Sequence, residues 1–279
     1  MFIVSTDSLI TRAAEVSGFT VTFWFGVFVA PAMLLSMLLM GHRPQGIVRQ
    51  VDRPMLLSAV LQAGSSTSFI FAIKNTSISN VVVIIAAAPI VASLIAWIAI
   101  RERTAPRVWA GIALSMGGIG IVVSGSFGGG GVTGDLLSVL AITFWSTNLI
   151  VWRSHPDMNR FLAVGLAGIV MAAISVAQAE LLGHSFNTYL LLFIMGAIAG
   201  PLGRVSMATA TRYISAAEVS LFTPIETLAA ILWAWIFFNE TPSVETYIGG
   251  AVVAVAFAVA TVPMRSRRLV LPPSELEDT

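Results

Sequence analysis

The chain contains no cysteine, which excludes disulfides, thiolate metal sites and a cysteine nucleophile. Charge is almost as scarce: 15 Lys and Arg with 14 Asp and Glu make 10% of 279 residues, where an ordinary domain carries about 25%. A soluble fold of this length needs a charged surface that so few side chains cannot supply. Catalytic patterns are missing as well. There is no GxxxxGK[ST] phosphate loop and no GxSxG, and His42, His155 and His184 stand far apart with no HxxxH or HExxH spacing. The glycine-rich SFGGGG turn has no basic companion, so it is no phosphate cradle. No enzyme and no cofactor are expected. What the chain has instead is 57% hydrophobic residues and a mean hydropathy of +0.89. These values describe a polytopic membrane protein.

A span needs about 20 mostly apolar residues. Such runs lie near 19–40, 55–73, 78–100, 108–125, 135–152, 161–182, 189–209, 217–238 and 246–263. Polar, Gly or Pro punctuation (GHRPQG, RERTAPR, SHPDMN, NETPS) separates them. Residues 1–16 form a weaker tenth candidate, interrupted by Asp7, Arg12 and Glu15. They are not a signal peptide, which places cations before its apolar core. With ten spans and the N-terminus on one side, that side collects twelve arginines, while the other holds Arg12 and Lys74; Arg204 lies within a span. By the positive-inside rule the twelve-arginine side is cytoplasmic, C-terminus included. The arginines are scattered over separate loops, as topology determinants are, and form no nucleic-acid surface.

The chain repeats itself. Phe71–Gly111 aligns without a gap on Thr209–Gly249 at an offset of 138, matching Ala72 with Ala210, Lys74 with Arg212, Ser77 with Ser215, Ala96-Trp97 with Ala234-Trp235, Glu102 with Glu240 and Gly111 with Gly249. The register predicts two five-span units, 1–125 and 135–263, joined by a Gly-rich linker at 126–134 and followed by a cytoplasmic tail at 264–279. Five is odd, so the second unit crosses the membrane in the opposite sense, as in inverted-repeat transporters. Val4-Ser-Thr-Asp7 aligns with Trp145-Ser-Thr-Asn148 at an offset of 141. The sixth span begins near Asp135, so its counterpart begins upstream of Met1 and the first helix reads as truncated.

A small-polar segment, a proline-bearing apolar helix, a W-x4-E element (Trp97 to Glu102; Trp235 to Glu240) and an aromatic before Gly (Trp109, Tyr247) resemble the EamA-type repeat of the drug/metabolite transporter superfamily. The resemblance covers both halves and implies an all-α protein of ten helices with cytoplasmic termini. It also implies a central cavity lined mainly by helices 1, 3, 4, 6, 8 and 9. Similar proteins include exporters of amino acids, other metabolites and toxic organic compounds. The family proline is present at Pro89, but its aligned position in the second half is Thr227, with Pro224 three residues earlier.

Intramembrane ionisable residues face a cavity or a partner. Glu226, near the middle of 217–238, is expected to bind an amine group of the substrate or carry a coupling proton, or else to be a paired carboxyl that holds its helix. Arg204 suits a substrate carboxylate, or equally Glu226 on the adjacent helix; Ser66 occupies its place in the first half. Asp7, aligned with Asn148, is a further candidate, and Gln62 and Trp145 are expected cavity liners. Trp97, Trp233 and Trp235 fit an aromatic belt. Pro89, Pro201 and Pro224 are hinges or static kinks, each freeing a carbonyl four residues back. Gly196-x3-Gly200 and the Gly117–Gly120 cluster allow close helix packing.

The expected function is secondary transport of a small organic metabolite, amino-acid-like or amine/drug-like, by alternating access and in the export direction. The alternative is an uncoupled facilitator or channel. Expected partners are a small-molecule substrate, the lipid bilayer of the inner (plasma) membrane and protons as the coupling ion, with no nucleic acid and a monomer or homodimer as the assembly.

Overall fold

Short polar side chains mark where the helices start. Ser17, Asp52, Ser77, Asn159 and Ser185 each accept the backbone N–H three residues on, at 3.2, 2.9, 3.1, 3.2 and 3.2 Å, which satisfies a donor that the first turn leaves without a partner. In the computed structural model, residues 2–41, 49–101, 106–125, 131–213 and 223–261 are described, without the side chains of 2–4, 100, 107, 108, 223–226, 228, 260 and 261. Glu102, most of the 126–134 linker and the 264–279 tail lie outside the described residues.

The described residues are helical, with no strand among them. In chain order the helices are α1 (Phe2–Ala13), α2 (Gly18–Leu39), α3 (Arg53–Asn75), α4 (Ile78–Ile85), α5 (Ala88–Ile100), α6 (Pro106–Gly125), α7 (Val132–Ser154) and α8 (Arg160–Ser175). Then come α9 (Phe186–Phe193), a π-helical segment (Ile194–Ala199), α10 (Gly200–Ala210), α11 (Thr223–Phe238) and α12 (Val244–Thr261). Gly18–Leu39, Arg53–Asn75, Val132–Ser154 and Phe186–Ala210 are long and apolar enough to cross a membrane. The pair α4 and α5 adds a fifth if read as one span bent by 41°. Trp109–Gly125, Arg160–Ser175, Ala229–Phe238 and Val244–Val259 are shorter apolar helices.

Three expectations are corrected. The span expected at 161–182 is helical only to Ser175, whose carbonyl then accepts the turn-forming N–H groups of Gln178 (3.1 Å) and Ala179 (2.9 Å). The span expected at 78–100 is broken at Ala86–Ala87, where the Ala87 N–H turns back to Ile84 (3.1 Å). Pro89 therefore lies in the first turn of α5, a position where the missing N–H costs no helical bond. Pro201 is the second residue of α10, directly after the π segment, whose wider turn accommodates the ring. At Pro89 the break thus precedes the proline, whereas the helix runs on through Pro201 within the span Phe186–Ala210.

In the packing, α2 lies on α8 and on the π segment, α3 on α7 and α8, α6 on α12, and α11 on α1 and α4. The α2–α8 contact is glycine against glycine. A Cβ on Gly26 would lie 2.3 Å from the Gly168 carbonyl oxygen, and one on Gly168 would lie 2.9 Å from that of Gly26. At the start of α8, buried Arg160 donates to the carbonyls of Trp152 (2.9 Å), His155 (2.8 Å), Met158 (2.9 Å) and Ala208 (3.1 Å). One guanidinium thus ties together the ends of α7 and α10 and the turn between α7 and α8. Arg160→Met is expected to strand these acceptors and lower stability by about 2–3 kcal/mol. Arg160→Lys should fail to restore it, because an ammonium lacks the rigid fork. Thermal unfolding of the purified variants checks both.

Candidate functional site

Helix positions decide which polar side chains turn inward. In α3, Gln62, Ser65, Ser66 and Phe69 recur every three or four residues and so share one face. That face meets Ala141, Ile142 and Trp145 of α7, Gly203, Arg204 and Met207 of α10, Asp7 of α1 and Ile85 at the end of α4 around a cavity of about 100 Å³. Its walls are mostly apolar, with a few convergent polar groups.

Arg204 is the organising side chain. Its Nη1 donates to Asp7 Oδ2 at 3.1 Å, its Nη2 to Ser66 Oγ at 3.2 Å, and its guanidinium lies 4.7 Å from the Phe25 ring centre. Both ends of the ion pair are nearly dry, the Asp7 side chain 5% exposed and that of Arg204 12%. Each offsets the cost of burying the other. Gly200 makes the arrangement possible: a Cβ there would lie 2.7 Å from the Phe25 ring and 2.8 Å from Arg204 Nη1. A second polar couple sits opposite, where Asn148 Nδ2 donates to Gln62 Oε1 and Gln62 Nε2 to Ser66 Oγ, both at 3.2 Å.

Asp7, Gln62, Trp145 and Arg204 thus come together around one cavity, and Asn148 joins through Gln62. Trp145 packs edge-on against Trp152, whose Nε1 donates to Ser58 Oγ at 2.7 Å. Among the described side chains Arg204 is partnered by Asp7 and Ser66, and the expected alternative of a pair with Glu226 lies outside the described residues. The side chains of Glu226 and Pro224 lie outside the described residues; in the backbone Glu226 is the fourth described residue of α11. Trp233 departs from the belt expectation, since its Nε1 donates to Ser5 Oγ of α1 at 3.0 Å. Trp97 and Trp235 are exposed, as belt residues are. Phe25, Ser65 and the role of Gly200 were not expected from the sequence. The only signal for Gly200 was its place in Gly196-x3-Gly200, which carries no hint of an arginine.

Some of these bonds involve positions that align in the sequence. Arg204 and Ser66, equivalent at the offset of 138, touch each other. Ser5 and Ser146, equivalent at 141, bond α11 and the Ala88 carbonyl of α5 respectively.

Comparison with known proteins decides the family. The model of the EamA-like transporter family matches residues 1–124 and 132–262. The chain belongs to the EamA-like transporter family. It is 23% identical over 279 residues to human (Homo sapiens) solute carrier family 35 member G1, covering 91% of this chain and 74% of that protein. A solved crystal structure shares the fold, with a TM-score of 0.71 over 96% of this chain and 95% of its own, at 17% identity. As an EamA-like protein the chain is a multi-pass membrane protein and a transporter of small solutes.

Proposed function

We propose that this EamA-like chain moves a small organic metabolite, amino-acid-like or amine-like, by alternating access of two inverted five-helix halves, and that it works as an exporter. The observation that carries this is the cavity itself. It is bounded by polar couples from both halves, with Arg204 bonded to its own repeat-equivalent, Ser66. Such a contact is what a two-fold axis through the site produces, and inverted-repeat transporters place their substrate at that interface.

The pairing of helices supports the same reading. Taking α4 with α5, and α9 through α10, as single spans, two contacts recur at aligned positions: α3 with α7 answers α10 and its π segment with α1, and α11 with α1 answers α4 and α5 with α7. Two arginines at the offset of 141 complete the pattern. Arg12 donates to the Thr76 carbonyl after α3 (2.7 Å), and Arg153 donates to the Thr211 carbonyl after α10 (3.2 Å). In the proposed topology these clamps lie at opposite faces of the membrane, with the twelve-arginine side and the C-terminus in the cytoplasm of an inner (plasma) membrane protein. Rocking would release one while holding the other. Glu226 and the α5, α10 and α11 prolines are proposed as a further proton- or substrate-binding carboxylate and as hinges.

The test is flux in proteoliposomes of purified protein, with labelled amino acids and amines and an imposed pH gradient. Uphill, gradient-dependent flux is expected, falling to the protein-free rate in the double variant Asp7→Asn with Arg204→Gln. Flux that only dissipates a substrate gradient would assign a facilitator instead, and no flux for any solute would defeat the proposal.

A further inference from the structure

The polar atoms around the cavity are unevenly used. Both terminal nitrogens of Arg204 are engaged, one with Asp7 and the other with Ser66, and its guanidinium lies against the Phe25 ring. Its charge is already compensated by Asp7 at 3.1 Å, so a substrate carboxylate placed there would also face the Asp7 anion. Asp7 is the reverse case. Its Oδ2 takes the arginine, but Oδ1, buried in a residue 3% exposed that lines the cavity, has no hydrogen-bond partner among the described residues. An ionised carboxylate is acceptor-only, with about four lone-pair sites, and a buried acceptor left unpaired is costly. At the repeat-equivalent position, Asn148 is fully buried and its Oδ1 is likewise without a partner among the described residues. The chain Asn148, Gln62, Ser66, Arg204, Asp7 therefore ends in an unused acceptor on both sides. The Asp7 end does not depend on which way an amide points, because its two atoms are both oxygen.

We infer that the cavity selects a compact substrate bearing an N–H-donating ammonium, a primary or secondary amine, received by Asp7 Oδ1. A carboxylate on the substrate is not a recognition element for Arg204. The inference rests on the transporter reading and narrows its substrate class. A quaternary ammonium carries the charge but no N–H, so it leaves Oδ1 unpaired and is rejected. The cavity, about 100 Å³, is smaller than the roughly 300–1,000 Å³ of drug-sized sites, which favours small amines.

The test uses four matched probes of one skeleton: 3-methylbutylamine, its N,N,N-trimethyl derivative, 4-methylpentanoate and leucine. Binding to purified full-length protein is read by tryptophan fluorescence, which Trp145 at the cavity wall should report, and flux is read separately in proteoliposomes. The amine and leucine are expected to bind at least about tenfold tighter than the trimethyl compound and the carboxylate, the loss expected for one charge-assisted hydrogen bond. Asp7→Asn alone strands Arg204 and risks misfolding, so the double variant Asp7→Asn with Arg204→Gln carries the mutational arm and should lose the preference. Equal binding of the trimethyl compound, tighter binding of 4-methylpentanoate, or no binding of any probe would overturn the inference. Preferential amine binding without flux would count against transport and leave the recognition intact. Flux of the carboxylate alone would do the opposite.

Discussion

Arg204→Gln is expected to lose most of the folded protein, and so is Asp7→Asn, while the two together recover it. The pair is 3.1 Å apart and nearly excluded from water, so removing either partner leaves a buried charge without compensation, a loss of about 3–5 kcal/mol. That is a large share of the roughly 5–15 kcal/mol that holds a typical protein folded. In the double variant both charges are gone. Gln at 204 can still donate towards Ser66, and Asn at 7 is the neutral amide that the aligned position, Asn148, already carries. Monodisperse yield and thermal unfolding in detergent provide the measurement. Additive losses in the double variant would show that the two residues act independently. Recovery of yield without flux is the expected combination, because the neutral pair no longer offers a carboxylate to the cavity.

Gly26→Ala is expected to be nearly as damaging, although it adds a single methyl. The new Cβ would sit 2.3 Å from the Gly168 carbonyl oxygen and 2.8 Å from the Ala172 backbone nitrogen. Both are backbone atoms of α8, so no side chain can turn aside. The α2–α8 contact must open, with losses of about 3 kcal/mol or more, at or beyond the upper end of ordinary overpacking. Gly117→Ala is the control. A Cβ there meets nothing within 4 Å, and replacing a helix-interior glycine by alanine should be neutral or stabilise by up to about 1 kcal/mol. Equal melting temperatures for Gly26→Ala and Gly117→Ala would mean that α2 and α8 are not closely packed.

Much of the site could be read in advance as a set of unusual residues. An ionisable or amide side chain in an apolar run is visible without coordinates, and that alone singled out Asp7, Gln62, Asn148 and Arg204. Their partners were not visible. Arg204 and Asp7 are 197 residues apart, and α1 is 12 residues long with Arg12 in its last turn, so it gave a weak span signal. Span boundaries pointed only to Glu226, because its span is the next one in sequence after that of Arg204. The break at Ala86–Ala87 and the π turn within Phe186–Ala210 were hidden for a related reason. Both lie inside continuous apolar runs, and hydropathy carries no information on where a helical ladder is interrupted.

Composition, charge placement and the 138-residue register are properties of the chain read in one dimension. They were enough to read a multi-pass membrane protein, a self-similar register and a resemblance to the family. The rotation of each helix about its axis is not of that kind. In a soluble helix the polar face reports it, but spans that are apolar all round pack by small-residue contact and occasional hydrogen bonds. The orientation that turns Arg204 towards Asp7 and Ser66, with Gly200 leaving room for it against Phe25, is therefore decided only when the helices meet.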